Sequence, residues 1–290
     1  MSAALGEHVR VAPGAPAQPA MHDAMALRAF VRRHDRLFVL TGAGCSTASG
    51  IPDYRNADGD WKRARPIMLE TFLGDPLARR RYWARSLAGW RRFRLARPND
   101  AHHALARLQR SGRIECLVTQ NVDGLHQAAG STQVIDLHGR LDCVRCMGCG
   151  ETLEREALQL ELLRRNPAWR ELDAPHAPDG DADLERSDFS SFDVPACARC
   201  AGVLKPDVVF FGERVPPGRV EAAMQALERA AAMLVVGSSL MVYSGYRFAH
   251  AAAQAGKPIA AVNLGRTRAD PLLTLKVEQP CAGVLAGLEV

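Results

Sequence analysis

The sequence lacks any uncharged apolar run of the roughly eighteen residues that a bilayer-spanning helix requires. Its most apolar stretch, Met233 to Val242, is shorter and is broken by Gly237, Ser238 and Ser239, so no membrane role is expected. The opening segment through Ala20 also lacks an apolar signal core. Being rich in Ala, Pro and Gly, it reads as part of a flexible tail over residues 1–30, not as a secretory peptide, and a cytoplasmic location is expected. Acidic residues are scarce where Arg63, Arg65, Arg79, Arg80, Arg81, Arg85, Arg91, Arg92, Arg94 and Arg97 crowd together, yet the net charge is only +5. Such a face can attract an acidic partner or a phosphate, but it is equally a solvated helix face, and no specific nucleic acid is predicted.

What is present points to a large globular core. The chain has 290 residues, 47% of them hydrophobic, enough for one big domain or a domain carrying an inserted module. Leu37 to Leu40 is a buried-strand pattern that runs into Thr41-Gly42-Ala43-Gly44, after which a helix is expected. Helices are expected over Pro76 to Leu95 and Asn99 to Arg110, the second capped by Asp100. Ile114 to Thr119, Val134 to Leu137, Val208 to Phe211, Met233 to Val236 and Pro258 to Val262 read as strands, with a helix over Pro217 to Ala232. Alternating strands and helices make an α/β fold with a doubly wound parallel sheet the natural architecture, with ligands bound beyond the carboxyl ends of the strands.

The Gly42-Ala43-Gly44 turn offers small residues and a following element whose free amides favour anions, as a dinucleotide cradle needs. Thr47 stands where a third glycine would complete GxGxxG, so spacing alone leaves a merely tight turn equally open. The metal signal is more specific. Four of the eight cysteines form the pairs Cys146-x-x-Cys149 and Cys197-x-x-Cys200, which in a non-secreted chain favour a metal over disulfides. Four thiolates complete a tetrahedral zinc and leave no position for water, so the site would be structural. Cys143-x-x-Cys146 is an equally good pair by spacing; Gly148 and Gly150 favour Cys146 with Cys149. The spacer before Cys197 should carry a helix, roughly Leu153 to Arg165, and a Pro- and Asp-rich loop.

Taken in order, Thr41-Gly42-Ala43-Gly44-Cys45-Ser46, Gly50-Ile51-Pro52-Asp53-Tyr54-Arg55, Thr119-Gln120-Asn121-Val122-Asp123, Leu137-His138-Gly139, the paired CxxC, Lys205 to Glu213, Gly237-Ser238-Ser239-Leu240 and Asn263-Leu264-Gly265 resemble the sirtuin family over about Arg36 to Leu288. Tyr82-Trp83-Ala84-Arg85, the loop at Pro178 and the long spacer are similar to its class II branch. The resemblance implies a Rossmann-like NAD-binding domain at 31–140 and 205–290. It also implies a zinc-binding module at 141–204 and a helical part of the small lobe at about 56–98.

It further implies an NAD-dependent protein lysine deacylase that passes the acyl group to ADP-ribose and releases nicotinamide, with NAD as co-substrate, one structural zinc and acyl-lysine proteins as partners. Ala43, Gly44, Pro52, Asp53, Tyr54 and Arg55 would line the NAD pocket, with Tyr54 on a covering loop. Gln120, Asn121, Val122 and Asp123 would hold the nicotinamide end. Gly237, Ser238, Ser239, Asn263, Leu264, Gly265 and the Cys281 backbone would hold the adenosine half, and Val208 and Phe210 would flank the acyl-lysine tunnel. His138, with an ordinary pKa near 6.5, is suited to take a proton from a ribose hydroxyl around neutral pH. His102, His103 and His126 read as capping, surface or packing residues, and Asp53 and Asp123 as positioning groups. Protein ADP-ribosyl transfer from the same pocket is the alternative. Trp61-Lys62-Arg63-Ala64-Arg65 lacks the Tyr-x-x-Arg pattern expected for acidic acyl groups, so strong desuccinylation is not expected.

Overall fold

A computed structural model describes residues 17–62, 66–170, 182, 184 and 188–288. The arginines at 63 and 65 and the loop at Pro178 lie outside the described residues. In chain order the elements are α1 (Ala17–Arg33), β1 (Leu37–Thr41), α2 (Leu69–Gly74), α3 (Pro76–Phe93), α4 (Asp100–Arg110), β2 (Ile114–Thr119), α5 (Leu125–Ala128), β3 (Val134–Asp136) and β4 (Gly139–Cys146). They continue with β5 (Thr152–Glu154), α6 (Arg155–Arg165), β6 (Leu204–Val208), α7 (Pro217–Arg229), β7 (Ala232–Val236), α8 (Tyr243–Gln254), β8 (Ile259–Val262), β9 (Leu275–Val277) and α9 (Cys281–Ala286). Among the described residues no helix is long and apolar enough to cross a membrane.

Six strands form one parallel sheet in the order β3-β2-β1-β7-β8-β9. Strand alternation divides their side chains between two layers. Leu37 and Val39 face α1, α4 and α9 through Leu27, Val31, Leu105 and Leu285, whereas Phe38 and Leu40 face α7 and α8 through Leu227, Phe248 and Ala252. Both faces are covered, which is why β1 is apolar from Leu37 to Leu40 and buried at every position. Each fully buried side chain of this kind contributes roughly 1.5–3 kcal/mol.

Several local expectations are corrected. The segment expected as a tail to residue 30 contains α1 from Ala17, because Leu27, Phe30 and Val31 recur at helical spacing and bury against the sheet. No α-helix follows Gly42. Two short 3₁₀ turns, Ala43–Cys45 and Thr47–Ser49, stand there instead, and Gly50 ends them at φ 83°. The cap of α4 is Asn99 and not Asp100: Asn99 is extended, its side chain accepts from the Ala101 amide at 2.9 Å, and Asp100 is already helical. The strand expected at Val208–Phe211 lies earlier, at Leu204–Val208; beyond it Val209 donates to the His138 carbonyl and Phe210 turns into the small lobe.

The small lobe joins the antiparallel sheet β5-β4-β6 to α2, α3 and α6. Its aromatics are core residues: Phe72, Tyr82 and Phe210 contact edge to face or tilted, and Trp83 is fully buried with its indole donating to the Leu204 carbonyl at 3.3 Å. Arg155 is also buried. Its guanidinium lies 5.4 Å from the Trp83 ring and 5.1 Å from Trp90 and donates to the Ser86 carbonyl and hydroxyl. Of the crowded arginines, Arg79, Arg80 and Arg91 donate to main-chain carbonyls, a structural use of that charge.

The two lobes meet where Gly139 opens β4. It has φ 82°, and a Cβ there would overlap the Asp207 carbonyl oxygen. Gly139→Ala is therefore expected to cost about 1–3 kcal/mol in backbone strain alone and to lower the melting temperature by several degrees, as read by calorimetry. An unchanged melting temperature would mean that β6 yields freely at this crossing.

Candidate functional site

A cavity of about 900 Å³ lies beyond the carboxyl ends of β1, β2 and β7. Its floor is made by two turns that approach closer than side chains allow. The Gly44 amide donates to the Gly237 carbonyl at 2.8 Å and the Gly42 amide to Val236 at 3.0 Å. A Cβ on Gly42 would come within 2.8 Å of the Gly237 oxygen. A phosphate-bearing chain can lie against bare backbone here, which is the fit a dinucleotide requires.

Of the residues expected from the sequence, Ala43, Gly44, Asp53, Tyr54, Arg55, Gln120, Asn121, Val122, Asp123, His138, Val208, Phe210, Gly237, Ser238, Ser239, Asn263 and Leu264 line this one cavity. Pro52, Gly265 and Cys281 do not line it. Cys281 is buried at the start of α9 with its thiol directed to the Val262 carbonyl, and burial pushes that thiol up to about 12. Arg55 stacks on Trp61 at 4.0 Å and donates to the Gly59 carbonyl, which shapes the loop that carries Tyr54.

The polar end of the cavity is a hydrogen-bonded set. Asn121 donates to the Gly42 carbonyl and to the Ser46 hydroxyl, both at 3.0 Å, and Ser46 in turn donates to Asp123 at 2.7 Å. Burial raises the Asp123 pKa, opposed by the Leu125 amide and the Ser46 hydroxyl. Asp53 pairs with Lys62, whereas Asp123 accepts from Ser46 and the Leu125 amide. Ser46 belonged to a recognised motif but gave no sign of its role; only the return of β2 beside β1 brings it to Asp123.

His138 sits at the inner wall. Its Nδ1 is 3.0 Å from the Gln120 carbonyl, and a carbonyl only accepts, so Nδ1 carries the proton and Nε2 keeps its lone pair. That lone pair receives the Ser244 hydroxyl at 2.8 Å. Burial lowers the His138 pKa to about 4, helped by the charges of Arg219 and Arg247. Ser244 was not legible as a site residue, because no motif at the start of α8 marks it.

Two groups of metal-capable side chains occur among the described residues. Cys45, His102 and His126 are fully buried together, but His102 Nδ1 accepts from the Asn99 amide, which leaves Nε2 protonated and unable to ligate. His126 is tied to Thr41 at 2.9 Å. These histidines pack and cap, as expected, and burial lowers His102 to about 4.

Cys146, Cys149, Cys197 and Cys200 form the other group, with all four sulfurs within 4.8 Å of one another. Cys146 and Cys200 are 3.4 Å apart and Cys149 and Cys197 3.8 Å, against about 3.8 Å between ligands of a tetrahedron with zinc–sulfur bonds of about 2.3 Å. The Cys149 and Gly148 amides lower the Cys146 pKa, readying it as a thiolate. Gly202 is required here, since a Cβ would lie 2.9 Å from the Cys146 sulfur. Cys143 is paired opposite Glu154 on β4, outside the group. The donor set fits one structural zinc.

A profile of the Sir2 family matches residues 42–244. The NAD-dependent protein deacetylase 2 of Bradyrhizobium diazoefficiens is 67% identical over 262 residues, covering 90% of this chain and 96% of its own. The NAD-dependent protein deacetylase of Xanthomonas campestris pv. campestris strain 8004 is 65% identical over 264 residues, covering 91% and 90%. Among solved structures, a Sir2 homologue in complex with NAD aligns with a TM-score of 0.70 at 34% identity, covering 91% of each chain. A complex of Sir2 with a p53 peptide and NAD aligns with a TM-score of 0.71 at 31% identity, covering 90% of this chain and 94% of the other.

The thiolate geometry carries a direct test. Purified protein is expected to hold one zinc per chain by plasma mass spectrometry. Cys149→Ser or a strong chelator should remove it, with an apparent loss on the order of 10 kcal/mol for the module and exposure of its core to proteolysis. Retention of zinc by the variant would exclude this ligand set.

Proposed function

The chain belongs to the Sir2 family, and from that premise we propose which of its residues perform the reaction. It is an NAD-dependent protein deacetylase that passes the acetyl group of lysine to ADP-ribose and releases nicotinamide. NAD supplies a ribose carbon that becomes electrophilic as nicotinamide leaves, which lets the otherwise unreactive amide of the substrate be opened without direct attack by water.

The residue assignments rest on one observation: His138, whose Nε2 is the unprotonated nitrogen of the ring, lines the same cavity as the bare Gly42–Gly44 backbone. In this reading Ala43, Gly44 and the turn after β7 from Gly237 to Ser239 hold the pyrophosphate and adenosine, with Asn263 and Leu264 at the far edge. Asn121 and Asp123, fixed through Ser46, orient the nicotinamide end, and Gln120 closes the ribose side. His138 Nε2 takes the proton of a ribose hydroxyl as that oxygen captures the acyl carbon. Val208 and Phe210 wall the tunnel for a neutral acyl-lysine, whose side chain excludes water. Tyr54 covers the reacting ribose. The division into an NAD-binding domain at 31–140 and 205–290 with a zinc module at 141–204 belongs to the same proposal, as do acyl-lysine proteins as partners, a cytoplasmic location and turnover of longer aliphatic or lipoyl-type acyl groups.

The experiment is mass spectrometry of acetyl-, butyryl-, lipoyl- and succinyl-lysine peptides incubated with NAD and either wild-type protein or His138→Ala. Acyl loss with formation of O-acyl-ADP-ribose is expected for all but the succinyl peptide, with at least a hundredfold loss in the variant, in line with about 10²–10⁴-fold for a positioned base. ADP-ribose appearing on protein while peptides stay intact would instead establish a transferase. The pH dependence has a definite sign. A base works when neutral, and burial holds His138 near 4 and not 6.5, so kcat/KM for NAD should stay flat through pH 6 and fall only toward about 4. An acid limb at 6.5 would contradict the buried environment of this histidine.

A further inference from the structure

Both ring nitrogens of His138, which lies in the turn between β3 and β4, are held by groups remote from it in sequence. The Gln120 carbonyl at the end of β2 accepts from Nδ1, and the Ser244 hydroxyl in the first turn of α8 donates to Nε2 at 2.8 Å. The start of α8 is brought here by close packing: Gly245 lies against the Gln120 side chain, and a Cβ there would overlap its Oε1. That side chain is itself fixed, donating to Ser238 Oγ at 2.7 Å and to the Thr41 carbonyl at 3.3 Å. Gln120 thus locks together the ends of β1, β2 and β7 and the start of α8. The His138 ring stands inside that lock.

Nothing at the helix terminus explains the serine. The cap of α8 is Val242, which offers no side-chain hydrogen bond, and the Ser244 hydroxyl is directed to His138. Its chemistry suits the role. A serine hydroxyl both donates and accepts, so it can donate to neutral Nε2 and, after rotation, accept from the protonated ring. The second bond is charge-assisted and roughly twice as strong as the first, which favours proton uptake in a pocket whose burial opposes it.

We infer that Ser244 is a positioning residue for deacetylation: with the Gln120 carbonyl it fixes the tautomer and rotation of His138, and it stabilises the ring once the ribose proton has arrived. This rests on the assignment of His138 as the base. The serine hydroxyl first turns its proton away and releases the Nε2 lone pair. One proton then moves from the ribose hydroxyl to Nε2 while the ribose oxygen bonds to the acyl carbon and the π pair of that carbon moves onto the lysine nitrogen. The serine oxygen afterwards accepts from Nε2–H and has lost no atom. Arg219 from α7 and Arg247 from α8 are the charged groups whose fields reach the ring.

The test compares the full-length zinc-loaded protein with Ser244→Ala and Ser244→Thr. Ser244→Ala is expected to lower kcat about three- to tenfold, the factor for one lost hydrogen bond, with KM for NAD and for acetyl peptide within about twofold. Nitrogen NMR of the ligand-free protein at pH 7 should show Nε2 of His138 losing its hydrogen bond while Nδ1 keeps its proton. Ser244→Thr should restore both readouts. A wild-type kcat in the alanine variant, an unchanged Nε2 signal, or a loss confined to KM would each overturn the inference. The NMR readout needs no turnover, so a failed assignment of the base, seen as full activity in His138→Ala, is distinguishable from a failed role for Ser244.

Discussion

The contact on which this structure depends is the mutual approach of the turns after β1 and β7. Gly42 and Gly44 on one side and Gly237 and Ser238 on the other come so close that no side chain fits between them. Two parallel strands side by side would ordinarily diverge into separate loops. Here main-chain hydrogen bonds tie the loops together, and the same bonds that finish the sheet leave an unobstructed floor for a ligand. The polar side chains of the site are arranged around that floor: Asn121 donates to the Gly42 carbonyl, Gln120 to Ser238, and Ser46 joins Asn121 to Asp123.

Much of this was legible in the sequence for a physical reason. Buried parallel strands are apolar runs that stop at small residues, so Leu37–Leu40, Ile114–Thr119 and Met233–Val236 announced themselves to within a residue of the observed strands, and the polar residues after each stop were the ones that converge. The cysteine pairs were equally plain, because a tetrahedral thiolate site fixes the spacing within each knuckle. What escaped was anything set by a partner distant in sequence. Gly42 to Gly50 carries a helix-compatible pattern, yet its amides are taken by Gly237 and by tight local turns. Ser244 has no local signature at all; it matters only because Gly245 lets α8 reach Gln120.

Two buried titratable groups beside the cavity, Lys205 and His138, are held by main-chain carbonyls. Lys205, only 4% exposed, donates to Glu213 at 3.0 Å and to the Pro206 and Val208 carbonyls, and Glu213 also accepts from the Phe210 amide. This ion pair fixes the strand exit that presents Val208 and Phe210, and removal of one partner would strand a charge in a nearly closed space. Burial lowers the Lys205 pKa, but the Glu213 carboxylate opposes it. His138 is treated alike, with one nitrogen pinned to a carbonyl so that only the other can exchange a proton.

The strand order also fixes when the molecule can become competent. β1 is central, yet its two neighbours are β2 and β7, one reached soon after it and the other only at Ala232–Val236. During synthesis the first strand therefore waits, with an unpaired apolar edge, until most of the chain has been made. The ligand floor is among the last features to close, and it closes across the largest loop in the sheet. A co-substrate that binds across β1 and β7 would then act as a clamp on that late closure, so cellular NAD would raise the folded fraction of newly made chains by mass action alone.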